Sequence, residues 1–374
     1  MKNKDTVLHV ATRKGLFRYE LGASAWELAG SSFLGENLSL VHVDPRDGTV
    51  YAALDTGHFG PKLHRSEDGG ATFEEIGLPS YPEMPEGWEE KPQFDGKPIA
   101  WSLRMIWSFA HGGDDQPGRL WIGSIPGGLF RSDDRGATWQ LVESLWMSER
   151  RKEWLGGGAD APGIHSICVD PRDSKRVVLG VSCGGVWRTN DDGATWEQKA
   201  HGMRAEYCPP EQAYEPWTQD PHCVVQCRDE PTTFWAQHHN GIFVSTNDLE
   251  SWEEIEGVQP SVFGFPVAVH PQDGKRAWFV PAQKDQQRIP KDARVVVTRT
   301  KDGGKSFDVL DRGLPAPPAY DLVYRHALDI DASGERLAFG STTGSLWATT
   351  DGGENWSTLS THLPPVYAVR FADR

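Results

Sequence analysis

One short phrase returns seven times along this 374-residue chain, and that recurrence constrains the fold before any other property. Ser132-x-Asp134-x-Gly136-x-Thr138-Trp139 is its clearest copy. The pattern Ser/Thr-x-Asp-x-Gly-x-Ser/Thr-aromatic repeats at Ser66 to Phe73, Thr189 to Trp196 and Thr300 to Phe307. Thr349 to Trp356 carries Asn355 in the last polar slot. Ser245 to Trp252 reads as a decayed copy, with Asn247 for Asp and Leu249 for Gly. Gly15-Leu16-Phe17-Arg18 to Trp26 keeps only the flanks.

Each phrase lies between strand-like runs, such as Gly185 to Arg188 before it and Trp196 to Gln198 after it. It therefore reads as a hairpin turn with a lock of its own. Short polar side chains bond local amides, glycine supplies φ > 0, and the aromatic ring packs under the turn or on the next sheet. The Asp and Thr residues of the phrase are accordingly structural. The anchoring aromatics, Trp26, Phe73, Trp139, Trp196, Trp252, Phe307 and Trp356, stand 47 to 66 residues apart. That spacing suits one four-stranded blade with its loops.

The expected fold is all-β: one seven-bladed β-propeller domain over residues 1–374. A full unit runs inner strand (Ser39 to Val43), short turn (Asp44 to Gly48), second strand (Val50 to Leu54), third strand (Lys62 to Arg65), phrase, outer strand (Phe73 to Ile76). The chain opens on a second strand, Val7 to Ala11, and closes on an inner strand, Val366 to Phe371. The last strand should complete the first blade and close the ring, removing sheet edges.

The phrase resembles the Asp-box of the bacterial neuraminidase repeat, found in sialidases, xyloglucanases, sortilin-like receptors and bacterial propellers of unassigned activity. Pro126 to Ser132 and Gly264 to Pro271 resemble single-propeller bacterial proteins of the sialidase-like or glycosyl-hydrolase-like kind. The resemblance implies the propeller fold and makes glycoside hydrolase the first enzymatic expectation. Sialidases of this pattern have six blades, an Arg-Ile-Pro near the start and three arginines gripping a carboxylate. The Arg-Ile-Pro here, Arg288 to Pro290, comes late and inside an insertion. Xyloglucanase-like enzymes join two propellers, and this chain has the repeats of one.

A net charge of −15 argues against nucleic acid and anionic membranes as partners. Met1 to Asp5 lead directly into a strand, and no apolar run spans a bilayer, so a cytoplasmic protein is expected. The five cysteines lack metal-type spacing. Cys168 and Cys183 fall on neighbouring strands, where either a bridge or two buried thiols would fit.

Insertions concentrate in one set of loops: Pro79 to Ala100, Leu145 to Gly163, His201 to Asp220, Ala282 to Ala293 and Arg312 to Asp321. Loops on a rigid scaffold are where function gathers. The side chains delivered there include Asp55, His58 and Lys62, then Arg104, His165 and Tyr207, then Asp220, His222, Gln237, His239 and Arg325. Several histidine-bearing segments aimed at one mouth suggest a ligand funnel.

Hydrolysis of a glycoside needs two carboxylates. Asp55 and Asp220 are the expected pair, drawn from a set that also holds Glu149, Glu153, Asp160 and Asp321. His58, Lys62, Arg104, His165, Tyr207, His222, Gln237, His239 and Arg325 are the expected substrate-binding residues. A metal held by His165, His222 and His239 is the lesser alternative, and no metal or cofactor is expected. Tyr81, Trp88, Trp146, Trp154 and Trp217 offer rings for stacking on sugar, or else pack the loops on the rim. The expected ligand is a small molecule or carbohydrate. The alternative is a non-catalytic propeller binding a ligand, peptide or protein partner at the same mouth.

Overall fold

The computed structural model describes residues 6–373 apart from 24, 94 and 157–159. Met1 to Asp5 and the middle of the Leu145 to Gly163 insertion thus lie outside the described residues. The fold is a seven-bladed β-propeller of four-stranded antiparallel sheets. In the first sheet Val366–Asp373 pairs with Thr6–Thr12, followed by Gly15–Leu21 and Trp26–Ser32. The last strand therefore completes the first blade. The remaining sheets occupy 38–75, 105–141, 163–198, 221–255, 264–310 and 328–360, each in simple sequence order.

Contacts group the chain into two compact units. One, residues 1–58, 62–75 and 255–374, contains four sheets and a core that includes Leu8, Trp278, Phe339 and Trp347. The other, residues 59–61 and 76–254, contains three sheets built around Trp121, Trp154, Trp187, Phe234 and Phe243.

The six phrases from Ser66 onward close on themselves. Ser132 Oγ donates to Asp134 Oδ1 at 2.8 Å and accepts from Gly136 N at 2.9 Å. Thr138 donates its N–H to Asp134 Oδ1 at 2.8 Å and its hydroxyl to Oδ2 at 2.6 Å. The same four bonds recur from Thr189 and Thr300. The Ser245 copy is fully built rather than decayed. Asn247 Oδ1 accepts from Ser245 Oγ and Ser251 N, and Asn247 Nδ2 donates to Ser251 Oγ at 2.9 Å. Leu249 adopts φ 66° where glycine stands elsewhere, and its side chain is buried in the core.

The residue before that position also has positive φ, and in two sheets it is an aspartate that reaches the preceding sheet. Asp192 meets Arg131 at 3.2 Å, and Asp248 meets Arg172 and Arg176 at 3.1 and 2.6 Å. Cost in backbone strain is thereby offset by ion pairs between neighbouring blades.

Hydrogen bonds within the turns hold Asp68, Asp134, Asp191 and Asp302 below the ordinary carboxyl value, Asp191 and Asp302 at about 2. A carboxyl whose pKa is lower when folded stabilises the fold above its unfolded value, and that stability drains as pH falls through the folded one. Thermal melts should therefore fall steadily as pH drops from about 5 to about 2. Asp191→Asn, which reproduces the Asn247 solution, should melt near wild type at pH 7 and lose less on acidification. Equal acid sensitivity in the two proteins would remove the turn aspartates as its source.

Candidate functional site

The three-sheet unit gathers a buried polar centre at the start of the strand Pro221–Gln226. Asp220 and His222 are two residues apart, across a register shift between Pro221 and Cys223, and their side chains approach to 3.7 Å. The adjacent strand Phe234–His238 ends in a turn carrying His239. Backbone bonds fix that corner: His239 N donates to Asp220 O at 3.0 Å, and Asp220 N donates to His238 Nε2 at 3.0 Å. Burial drives His238 down to about 3, so it stays neutral and accepts that bond.

The Asp220 carboxylate is nearly sealed, with 9% of its side chain exposed. Oδ1 accepts from Cys183 N at 3.1 Å and Ser182 Oγ at 3.3 Å. Oδ2 lies 3.7 Å from His222 Nε2 and 3.4 Å from His239 Nδ1. Burial opposes the charge, but the two imidazoles outweigh it and hold the carboxyl well below its ordinary range. His222 is buried, whereas His239 keeps 25% of its side chain exposed and is the solvent-facing member. Their rings stand 5.4 Å apart at 75°.

The Tyr207 ring packs edge-on against His239 at 4.9 Å, and its hydroxyl donates to Thr218 O at 2.5 Å. Tyr207 comes from the His201 to Asp220 insertion. That loop is clasped by Arg204 on Glu254 (2.9 and 2.8 Å) and by Gln219 Nε2 on the carbonyls of Ala213 and Glu215. Burial, followed by the Asp220 charge, raises the Cys183 pKa, so the thiol remains protonated at neutral pH.

Of the residues singled out in the sequence, Asp220, His222, His239 and Tyr207 come together here. Gln237 lies on the same strand but turns its amide onto the carbonyls of His238 and Gly241. His165 is buried, bonded through Nδ1 to Ser166 Oγ at 2.9 Å and edge-on to Trp107. Among the described residues the group spaced for a metal is Asp220, His222 and His239, so His165 gives way to Asp220 in that set. Arg104 is exposed in the same unit.

Asp55, His58, Lys62 and Arg325 belong to the four-sheet unit. Asp55 accepts from Asn37 Nδ2 at 3.3 Å, and His58 is exposed in the short turn Gly57–Phe59. Lys62 pairs with Glu75 at 2.9 Å, and Arg325 stacks over Phe265. Ser182, Cys183 and His238 support the centre without having been singled out for it. The adjoining pair His238-His239 was a signal for the last of these, but the backbone N–H of Cys183 leaves no trace in a sequence.

The loop aromatics are packing groups. Trp146 and Trp154 are buried, and Tyr81 bonds Ser124 Oγ and Pro126 O. Trp88 and Trp146 flank the Arg151 guanidinium, and Trp217 lies against Arg150. All five cysteines are free thiols, Cys168 and Cys183 included. A separate surface recess of about 290 Å³ involves Arg131, Glu143 and Asp192 and shares no residue with the Asp220 centre. No helix among the described residues is long and apolar enough to cross a membrane.

No family model matches the chain. Its curated relatives are xyloglucanases. It is 23% identical over 395 residues to a probable oligoxyloglucan-reducing end-specific xyloglucanase of Neosartorya fischeri, covering 95% of this chain and 44% of that protein. It is 23% identical over 265 residues to the oligoxyloglucan-reducing end-specific xyloglucanase of Emericella nidulans, covering 63% of this chain and 30% of that one. The chain thus spans less than half the length of these relatives. Among solved structures, an ancestral GH74 enzyme matches with TM-score 0.58 and 14% identity over 86% of this chain and 38% of its own. YCF48 bound to D1 peptide matches with TM-score 0.51 and 13% identity over 94% and 93%. The fold is therefore one that this chain shares with glycoside-hydrolase propellers.

Proposed function

We propose that this chain is a carbohydrate-active propeller of the glycoside-hydrolase type, its turns being Asp-boxes of the bacterial neuraminidase repeat. Its ligand centre is formed by Asp220, His222, His239 and Tyr207. The observation that carries the reading is the buried Asp220 carboxylate, anchored through Oδ1 and shared through Oδ2 by two imidazoles. A carboxylate withdrawn from water beside two imidazoles, one of them open to solvent, supports a functional reading over a purely structural one. His239, oriented from behind by Asp220, is the group offered to a polyhydroxyl ligand, with the Tyr207 ring beside it. The xyloglucanase relatives support the substrate class. The second reading, a peptide at the same centre, is supported by the near full-length match to peptide-bound YCF48.

A thermal-shift panel of xyloglucan oligosaccharides, uronic acids, sialic acid and unrelated peptides tests this. At 100 Kd a ligand stabilises by about 2.7 kcal/mol, so even weak binders register at high concentration. The wild type should melt higher with a sugar, and Asp220→Asn and His239→Ala should lose that rise. A peptide response without a sugar response would install the second reading. Equal shifts in wild type and variants would remove the centre from both.

A further inference from the structure

One donor atom from each of Asp220, His222 and His239 lies within 4.8 Å of the other two. A charged imidazole–carboxylate hydrogen bond closes to about 2.7–2.9 Å. The two here are longer, at 3.7 and 3.4 Å to the same oxygen. Ligands around a tetrahedral ion bound at about 2.0–2.2 Å are separated from each other by about 3.4 Å. The two nitrogens are therefore spaced from the carboxylate oxygen as ligands that share a centre with it are.

Two further features point the same way. The second carboxylate oxygen is held by Cys183 N and Ser182 Oγ, the kind of outer support that orients a ligating carboxylate. The backbone at Asp220 is pinned from both sides of the corner, by His238 Nε2 and by His239 N. The backbone that carries the ligand set is thus fixed by bonds of its own.

We propose that Asp220, His222 and His239 bind one divalent transition-metal ion of the zinc class. Two imidazoles and a carboxylate suit Zn²⁺ or Fe²⁺ rather than Mg²⁺ or Ca²⁺, which take oxygen ligands. Three protein ligands leave a coordination position open, and the exposed part of His239 puts that position within reach of solvent. The inference rests on the ligand centre proposed above and supplies its electrophile: an ion there would hold a ligand hydroxyl or a water. Cys183 lies outside the set and meets the carboxylate from behind, through its backbone N–H.

The test strips the full chain with chelator, dialyses it against Zn²⁺, Fe²⁺ or Mg²⁺ in separate arms, and counts retained metal by plasma mass spectrometry. Co²⁺ substitution adds an absorption spectrum that reports tetrahedral coordination. One equivalent of Zn²⁺ or Fe²⁺ per chain is expected, with little Mg²⁺. His239→Gln and His222→Ala should each weaken binding at least about 10–100-fold, the effect known for mere outer-shell changes. Circular dichroism verifies that each variant is folded, and His239→Gln, at the partly exposed position, is the safer of the two. Retention below a tenth of an equivalent by wild type, or equal uptake by wild type and both histidine variants, overturns the site. Repeating the sugar panel with metal-loaded protein separates the two ideas: metal uptake with no sugar response sinks the carbohydrate reading and leaves the metal site standing. Sugar binding without metal uptake does the reverse.

Discussion

Glu90→Ala is expected to lower the unfolding free energy by about 3–5 kcal/mol, the cost of leaving one half of a buried ion pair alone. Arg151 and Glu90 have 0% and 1% of their side chains exposed and form a two-pronged pair at 2.6 and 2.7 Å. Arg151 Nε also donates to Trp146 O, and the guanidinium lies 4.1 Å from the Trp146 ring centroid. Glu90 Oε1 accepts from the indoles of Trp88 at 3.0 Å and Trp101 at 2.7 Å. Removing the carboxylate thus strands a cation and two indole N–H groups away from water. Urea unfolding followed by tryptophan fluorescence measures the loss. Glu90→Gln keeps the acceptor and should lose less. The double variant Glu90→Ala, Arg151→Met should recover part of it, because the stranded charge is then gone. A single-variant loss under about 1 kcal/mol would mean the pair is open to water in solution.

Gly313→Ala should cost nearly as much, by a different route. Gly313 has φ +87°, and a Cβ there would stand 1.9 Å from the carbonyl oxygen of Trp356. The approach is tight because Trp356 N donates to Arg312 O at 2.9 Å, joining the two sheets through backbone alone. Gly202 repeats the device, with φ +92° and 2.2 Å to Trp252 O, where Trp252 N donates to His201 O. Left-handed backbone costs about 1–2 kcal/mol for a residue with a Cβ. Overpacking against an atom that cannot rotate away adds about 1–3 kcal/mol. Gly257→Ala is the control, since its φ is +74° but nothing lies within 4 Å. It should show the backbone cost alone. Equal losses at Gly257 and Gly313 would show that contact with Trp356 contributes nothing.

The fold was legible because its signal is local and repeated. Ser, Asp, Gly and Thr at fixed offsets make a turn whose bonds stay within eight residues, so each copy could be read without knowing its neighbours. The flanking strands followed, and the register of Thr6–Thr12 against Val366–Asp373 matches the expected closure. The Ser245 copy was misread for the opposite reason. Its amide and its leucine read as losses, whereas Asn247 makes the same bonds with one donor reversed and Leu249 buries its own side chain at the position where, in the other copies, a neighbouring side chain lies against glycine.

The centre was only half legible. Asp220 and His222 could be paired because they are two residues apart, and His239 because it ends the next strand. The support from Cys183 arises where the preceding sheet meets this one, a long-range contact with no spacing rule. The register shift between Pro221 and Cys223 that shapes this corner is equally silent in sequence. The loop aromatics show the same limit, since a ring that stacks on sugar and a ring that shields Arg151 have one composition. Only burial tells them apart.

Because each turn locks by its own side chains, the hairpin that joins third and outer strands is the fixed end of its sheet. In a four-stranded meander the connection to the next sheet leaves from the other end. Chain can be added there without loosening the lock, as the clasped residues 201–220 illustrate. Length variation and new specificity in such a molecule should accumulate at that end while the locked turns stay constant in size, so grafted loops belong between sheets and not within the hairpins.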